Sequence, residues 1–212
     1  MNAHYGNAAF RLFSCLLRGL LLAATFLSAP ALYAQSAETR NETNASLPAL
    51  PAIPADMRAE LNELLPQNRL IGKGRLTYFG LQVYDARLWA MPGFQIDNLS
   101  TQPFVLELAY LRNFDAVDVA DRSIHEMRRS AVISDVQAKT WTAEMLRVFP
   151  NLKKGDRVMG VNKPGVGVSY LVNGKPTGEI RDVEFSKLFF GIWLSSKTSE
   201  PKLRSALLAG VM

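Results

Sequence analysis

Gly74-Arg-Leu-Thr-Tyr-Phe-Gly-Leu-Gln-Val-Tyr-Asp-Ala-Arg-Leu-Trp-Ala90 reads as two strands in succession. In the second, Leu81, Val83 and Trp89 share one face with Asp85 and Arg87, while Tyr84, Ala86 and Leu88 share the other. Side chains alternate with period two along a strand, so such a run puts a charged pair among apolar neighbours on one face.

Working outward, Phe104 to Leu111 is a third strand with Leu106, Leu108 and Tyr110 on one side. The period then changes. From Asp115 to Arg129, Val117, Ala120, Ile124 and Met127 recur at helical spacing. Ser134 with Gln137 is a capping-box start for a second helix, which carries Trp141 and Met145 and ends near Phe149. Strands return at 156–162 and 167–172, joined by Lys163-Pro164-Gly165, and Asn173-Gly174 supplies a tight hairpin turn into a strand ending at Ile180. Asp182 is placed to cap an apolar helix with Phe185, Leu188, Phe189 and Ile192. Ser199 with Pro201 opens a last helix, closed by Gly210. Strands, two helices, strands, two helices is an α+β order. It predicts a largely antiparallel sheet with helices on one face, not a doubly wound nucleotide fold.

Upstream of Arg69 the character differs. Residues 56–65 predict a short helix, with Met57, Leu61 and Leu64 at one-face spacing behind Pro54. Residues 35–54 form a polar tether followed by a proline-rich extended linker. Residues 1–34 carry Arg11 and Arg18, no acid, an apolar run from Leu20 to Leu27, and then small residues up to Ala34. That is the pattern of a secretory signal peptide, with cleavage expected after Ala34 and a periplasmic destination. Arg18 and Pro30 interrupt the apolar segment, so no stable membrane span is expected after cleavage. The organisation expected is therefore signal 1–34, linker and short helix 35–66, and one domain at 67–212.

The full chain of 212 residues has 24 Lys and Arg against 19 Asp and Glu, a net charge of +5. Without the two leader arginines the balance is 22 to 19, or +3. The remaining cations are scattered among acids, which excludes a nucleic-acid footprint. Cys15 and His4 fall in the leader, leaving His125 as the only histidine and no cysteine. No metal site and no cofactor are expected, and a Cys/His nucleophile is impossible in the mature protein. His125 falls on the polar side of its helix among Asp121, Arg122 and Arg129, the setting of a solvated histidine. No Gly-rich phosphate loop occurs, and no catalytic residue is assigned. Asp85 with Arg87 on one strand face is either a site where the guanidinium forks a ligand carboxylate or a structural pair. Arg75 and Arg112 are further cations near strand ends.

The run from Gly74 to Trp89 resembles the chalcone isomerase-like domain in its bacterial exported form. So do Leu106 to Arg112, Asp121 to Arg128, Phe149 to Asp156 and Gly178 to Trp193. The resemblance implies an open-faced β-sandwich, a mostly antiparallel sheet covered by a layer of helices with a ligand cleft between them. Plant enzymes of the family close a chalcone to a flavanone with an arginine, a threonine, a tyrosine, an asparagine and a later threonine. Anchored on Val83-Tyr84, the first threonine falls on Phe79, the tyrosine on about Asp115 and the asparagine on about Arg122. The arginine falls near Gln67, with Arg69 the nearest candidate, and only Thr177 keeps its type. With most of that network replaced, the resemblance implies the fold without the isomerase chemistry. Non-catalytic plant relatives bind fatty acids through an arginine and a tyrosine. That implies a small hydrophobic or carboxylate ligand here, with Arg69 and Tyr78, or Arg87 and Tyr84, as candidate contacts. Strand alternation puts Tyr84 and Arg87 on opposite faces. An intramolecular lyase and an envelope interaction protein are the alternative functions.

Overall fold

The computed structural model describes residues 55–211. The expected leader and tether lie outside the described residues. Six strands form one antiparallel sheet in the order β1-β2-β3-β4-β5-β6. They are β1 (Arg69–Tyr78), β2 (Leu81–Ala90), β3 (Phe104–Tyr110), β4 (Arg157–Lys163), β5 (Gly167–Val172) and β6 (Lys175–Ile180). Sequence order equals spatial order, so every strand pairs with its chain neighbour. The crossover between β3 and β4 carries α2 (Ala116–Met127) and α3 (Asp135–Val148), and α4 (Val183–Leu194) and α5 (Pro201–Leu207) follow β6.

The face of β2 bearing Tyr84, Ala86 and Leu88 joins the main core with Leu106, Leu108, Val158 and Tyr170. Against it lie Ala120, Ile124 and Met127 of α2, Trp141 and Met145 of α3, and the apolar α4 with Phe185, Phe189, Phe190 and Trp193. The helix starts follow the expected chemistry. Ser134 accepts from the Gln137 amide at 3.2 Å, while the Gln137 side chain reaches Glu184 of α4 instead of closing the box. Asp182 accepts from the Phe185 amide at 2.9 Å and, with its other oxygen, from the Trp141 indole at 2.8 Å. Asp182→Ala is expected to cost about 2 kcal/mol, because it removes a cap and strands a buried indole donor. Urea unfolding checks this, and a loss below about 0.5 kcal/mol would mean that water serves both donors.

Three expectations need correction. The first strand begins at Arg69, five residues ahead of Gly74. The last helix is opened by Glu200 with Pro201 at its first turn, one residue later than expected. More consequentially, helices do not lie on one face only. A helix at Ala55–Leu64, labelled α1, belongs to the opposite face, where Leu61 and Leu65 pack with Trp89, Val105, Met159, Val161 and Leu171. Those strand residues are apolar and need cover, and the short upstream helix supplies it. Among the described residues no helix is long and apolar enough to cross a membrane.

Candidate functional site

Alternation along β2 sorts its polar residues into two environments. On the helix-covered side, the Trp193 indole donates to the Tyr84 hydroxyl at 2.9 Å. The Tyr84 and Tyr110 rings meet edge to face with centroids 5.8 Å apart. Burial pushes both phenols well above their ordinary range, only partly offset for Tyr84 by the Trp193 hydrogen bond. Both therefore remain neutral hydroxyls at physiological pH, able to donate and unsuited to act as phenolates.

Arg122 and Glu200 act electrostatically on the Tyr84 hydroxyl in opposite directions, Glu200 raising its pKa and Arg122 lowering it. Arg122, partly exposed, holds the buried Glu126 carboxylate one helical turn on at 2.6 Å. Glu200 begins α5. Its carboxyl is held above the usual range by burial and by Glu126, with Arg122 acting in the opposite direction. The corner thus combines a neutral phenol, an indole, the Arg122 guanidinium and two carboxyls, Glu126 being paired with Arg129 at 3.7 Å as well, with a partly open side at Arg122.

Behind the corner, the interface is lined by aromatic rings packed edge to face. Phe149 and Tyr170 lie 4.7 Å apart, Phe104 and Phe190 4.6 Å, and Phe189 and Trp193 5.4 Å. The Tyr170 hydroxyl is buried with no hydrogen-bond partner among the described residues. An unpaired buried hydroxyl carries a desolvation penalty of about 1–3 kcal/mol, so this apolar layer contains one unmet polar demand.

The other face holds ion pairs. Arg75 forks Asp85 across β1 and β2. Arg87 donates to Glu107 at 2.9 Å, and the Trp89 indole donates to the other Glu107 oxygen at 3.3 Å. Arg157 donates to Glu60 of α1 at 2.9 Å. The alternatives left open for Asp85 and Arg87 resolve into two separate pairs: each is bonded to a residue on a neighbouring strand, not to the other.

Of the seven residues expected to contact a ligand, only Tyr84 and Arg122 meet at the helix-side corner. Arg69 is exposed at the start of β1. Tyr78 ends that strand half-buried, its ring 4.4 Å from that of Phe79. Phe79 occupies the β1–β2 turn and is 87% exposed, which removes it from the interface. Arg87 is engaged on the opposite face. Thr177 sits on β6 and donates to the Tyr170 carbonyl at 3.4 Å. Four strand spacings separate β6 from Tyr84, roughly 19 Å, so Thr177 does not share the corner. Trp193, Glu126 and Glu200 were missed. A signal existed for the first two: an indole N–H on an apolar helix needs an acceptor, and Glu126 follows Arg122 at ion-pair spacing. His125 is exposed, as its helical position predicts. Among the described residues no cluster of His, Cys, Asp and Glu is arranged to hold a metal ion.

Comparison with known proteins adds three findings. The family profile described as chalcone isomerase-like matches residues 70–209. A Haemophilus influenzae protein described as uncharacterized is 25% identical over 138 residues, which is 65% of this chain and 66% of that protein. The crystal structure of an Arabidopsis thaliana fatty-acid binding protein superposes with a TM-score of 0.55 at 12% identity, covering 67% of this chain and 87% of that one.

Proposed function

The chain belongs to the chalcone isomerase-like family, and on that premise we propose an exported, non-catalytic binding protein for a small hydrophobic or amphipathic ligand. A fatty acid or a phenolic carboxylate fits this reading, taken between the sheet and its helix layer in the periplasm. The observation that carries it is the buried Trp193–Tyr84 hydrogen bond beside an aromatic interface, with the Arg122 guanidinium acting electrostatically on that hydroxyl. The hydroxyl and guanidinium suit a polar head, and the rings behind suit an apolar tail. The fatty-acid binding of the Arabidopsis thaliana neighbour supports the ligand class. The non-catalytic reading is supported by Phe79, Asp115 and Arg122, which stand where the plant enzymes place a threonine, a tyrosine and an asparagine. Without those groups, the donors that would stabilise a developing oxyanion are missing. The leader pattern at 1–34 supports export. Uptake of a tail requires the ring layer to part, starting with Trp193, which bonds Tyr84, and Phe189, whose ring lies 5.4 Å from that of Trp193.

Native mass spectrometry of protein purified from the periplasm, followed by denaturing extraction, is the test. A stoichiometric amphipathic adduct is expected, reduced at least tenfold in Arg122→Ala, as loss of a charge-assisted contact implies. An empty protein that retains a protein partner, or rapid cyclisation of a chalcone, would overturn the proposal. The electrostatics add a pH signature. Ionised Glu200 sets a second carboxylate beside Glu126 and Arg122, so an anionic head binds more weakly when Glu200 is charged. Because its folded pKa is raised, Glu200 detracts from stability above that pKa, and the penalty disappears as pH falls below the ordinary carboxylate range. Affinity for a carboxylate ligand is therefore expected to rise as pH falls through the raised pKa of Glu200. Glu200→Gln should flatten that part of the profile.

A further inference from the structure

The sheet contains two hairpins with two-residue turns whose central residues both have positive φ. In the β5–β6 turn these are Asn173 at 51° and Gly174 at 79°; in the β1–β2 turn they are Phe79 at 46° and Gly80 at 77°. Asparagine and glycine are the residues such a turn favours, because asparagine tolerates left-handed backbone and glycine has no Cβ to clash. Phenylalanine has neither advantage. The same fold thus solves one turn with the favoured residue and the other with a disfavoured one. That disfavoured residue presents a ring that is 87% exposed.

Phe79 is not isolated. Leu81 at 44% and Val117 at 53% exposure lie at the same end of the domain, since Leu81 closes the turn and α2 begins beside the end of β3. The exposed cations of that end are Arg112, Lys153, Lys154 and Lys175, the last opening β6 beside the Asn173-Gly174 turn. Their loops are tied to the strand ends: Leu111 bonds Val83, Gly155 bonds Tyr110, and the Lys154 amide bonds Asn113. The acids there are Asp115, which is exposed, Asp118 in the first turn of α2, Glu60, which is paired with Arg157 beside the Asn173-Gly174 turn, and Asp156, which is engaged by Asn173 and by the Lys153 amide.

We propose that this end of the sheet docks on an anionic lipid surface, with Phe79 inserted at the headgroup level and Arg112, Lys153 and Lys154 against the phosphates. A bilayer interface accepts a protruding ring with cations on neighbouring loops of the same end and asks for no shape-matched pocket. A protein partner would be expected to meet a broader, flatter apolar patch. Its residues are not those of the helix-side corner, and the proposal does not depend on what that corner holds.

The test is cosedimentation of the exported protein with phosphatidylethanolamine–phosphatidylglycerol vesicles, with phosphatidylcholine vesicles as control. Binding is expected only to the anionic vesicles and to weaken at high salt. Phe79→Asn is expected to weaken it at least tenfold while raising Tm by about 2–4 °C, since it relieves the turn. A binding loss accompanied by a stability gain cannot come from misfolding. Phe79→Trp should keep binding, and joint Arg112→Glu, Lys153→Glu and Lys154→Glu substitution should weaken it about a hundredfold. Wild-type protein that ignores anionic vesicles would overturn the proposal. So would Phe79→Asn protein that binds them as wild type does, or light scattering that traces the role of Phe79 to self-association.

Discussion

Glu107→Ala is expected to lower the stability of the domain by about 3–5 kcal/mol, the loss typical of removing one partner from a buried ion pair. Register places Arg87 directly across from Glu107 on the neighbouring strand, and Glu107 has no exposed surface. Its carboxylate accepts from the Arg87 guanidinium with one oxygen and from the Trp89 indole with the other. Removing it leaves a cation with its principal counter-charge gone inside the sheet face and an indole donor without its acceptor. The net worth of the intact pair is a separate matter, because the desolvation of both ions offsets much of their attraction. Joint Arg87→Met and Glu107→Leu substitution is therefore expected to fall within about 1 kcal/mol of wild type. Urea unfolding followed by tryptophan fluorescence measures both. A single-substitution loss below about 1 kcal/mol would show that water reaches the face and screens the pair.

The second large effect is at Gly72. A Cβ there would land on the backbone carbonyl oxygens of Ala206 and Leu207, at the end of α5. A flexible side chain could swing away, but main-chain atoms cannot. The same helix is held by Leu203 near Gly74, and the chain beyond it by the Gly210 amide, which bonds Ile71 at 2.8 Å. Gly72→Ala is thus expected to cost about 3 kcal/mol, the upper end of ordinary overpacking, and to lift α5 from β1. Hydrogen exchange should report it first at the Gly210 amide. Protection there unchanged from wild type would mean that β1 shifts to absorb the methyl group. Since Glu200 stands at the N-terminal cap position of α5, the same substitution is expected to disturb the surroundings of Tyr84 as well.

These two sites show where reading from residues stops. Alternation placed Asp85 and Arg87 together on the face of β2 away from Tyr84, and that division holds. It could not say that each would pair with a different strand, because the partners Arg75 and Glu107 are chosen by register between strands. The helices and their caps at Ser134 and Asp182 were legible because capping is local, settled within three residues. The seven expected ligand contacts fared differently, and only Tyr84 and Arg122 share the corner. Phe79 is named by the resemblance as the place of a polar threonine, but it sits with Gly80 in the β1–β2 turn. The cross-chain distance that separates Thr177 from Tyr84 follows from strand order alone.

By itself the sequence determined the α+β class, the strands and helices of the domain and the two faces of β2, through hydrophobic period and capping residues that act within a few positions. Only the tertiary structure decided that α1 covers the second face, that Trp193, Glu126 and Glu200 complete the corner around Tyr84, and that α5 presses its backbone onto Gly72. Each of these depends on residues distant along the chain, brought together by sheet register and helix packing, and no local pattern encodes such distances.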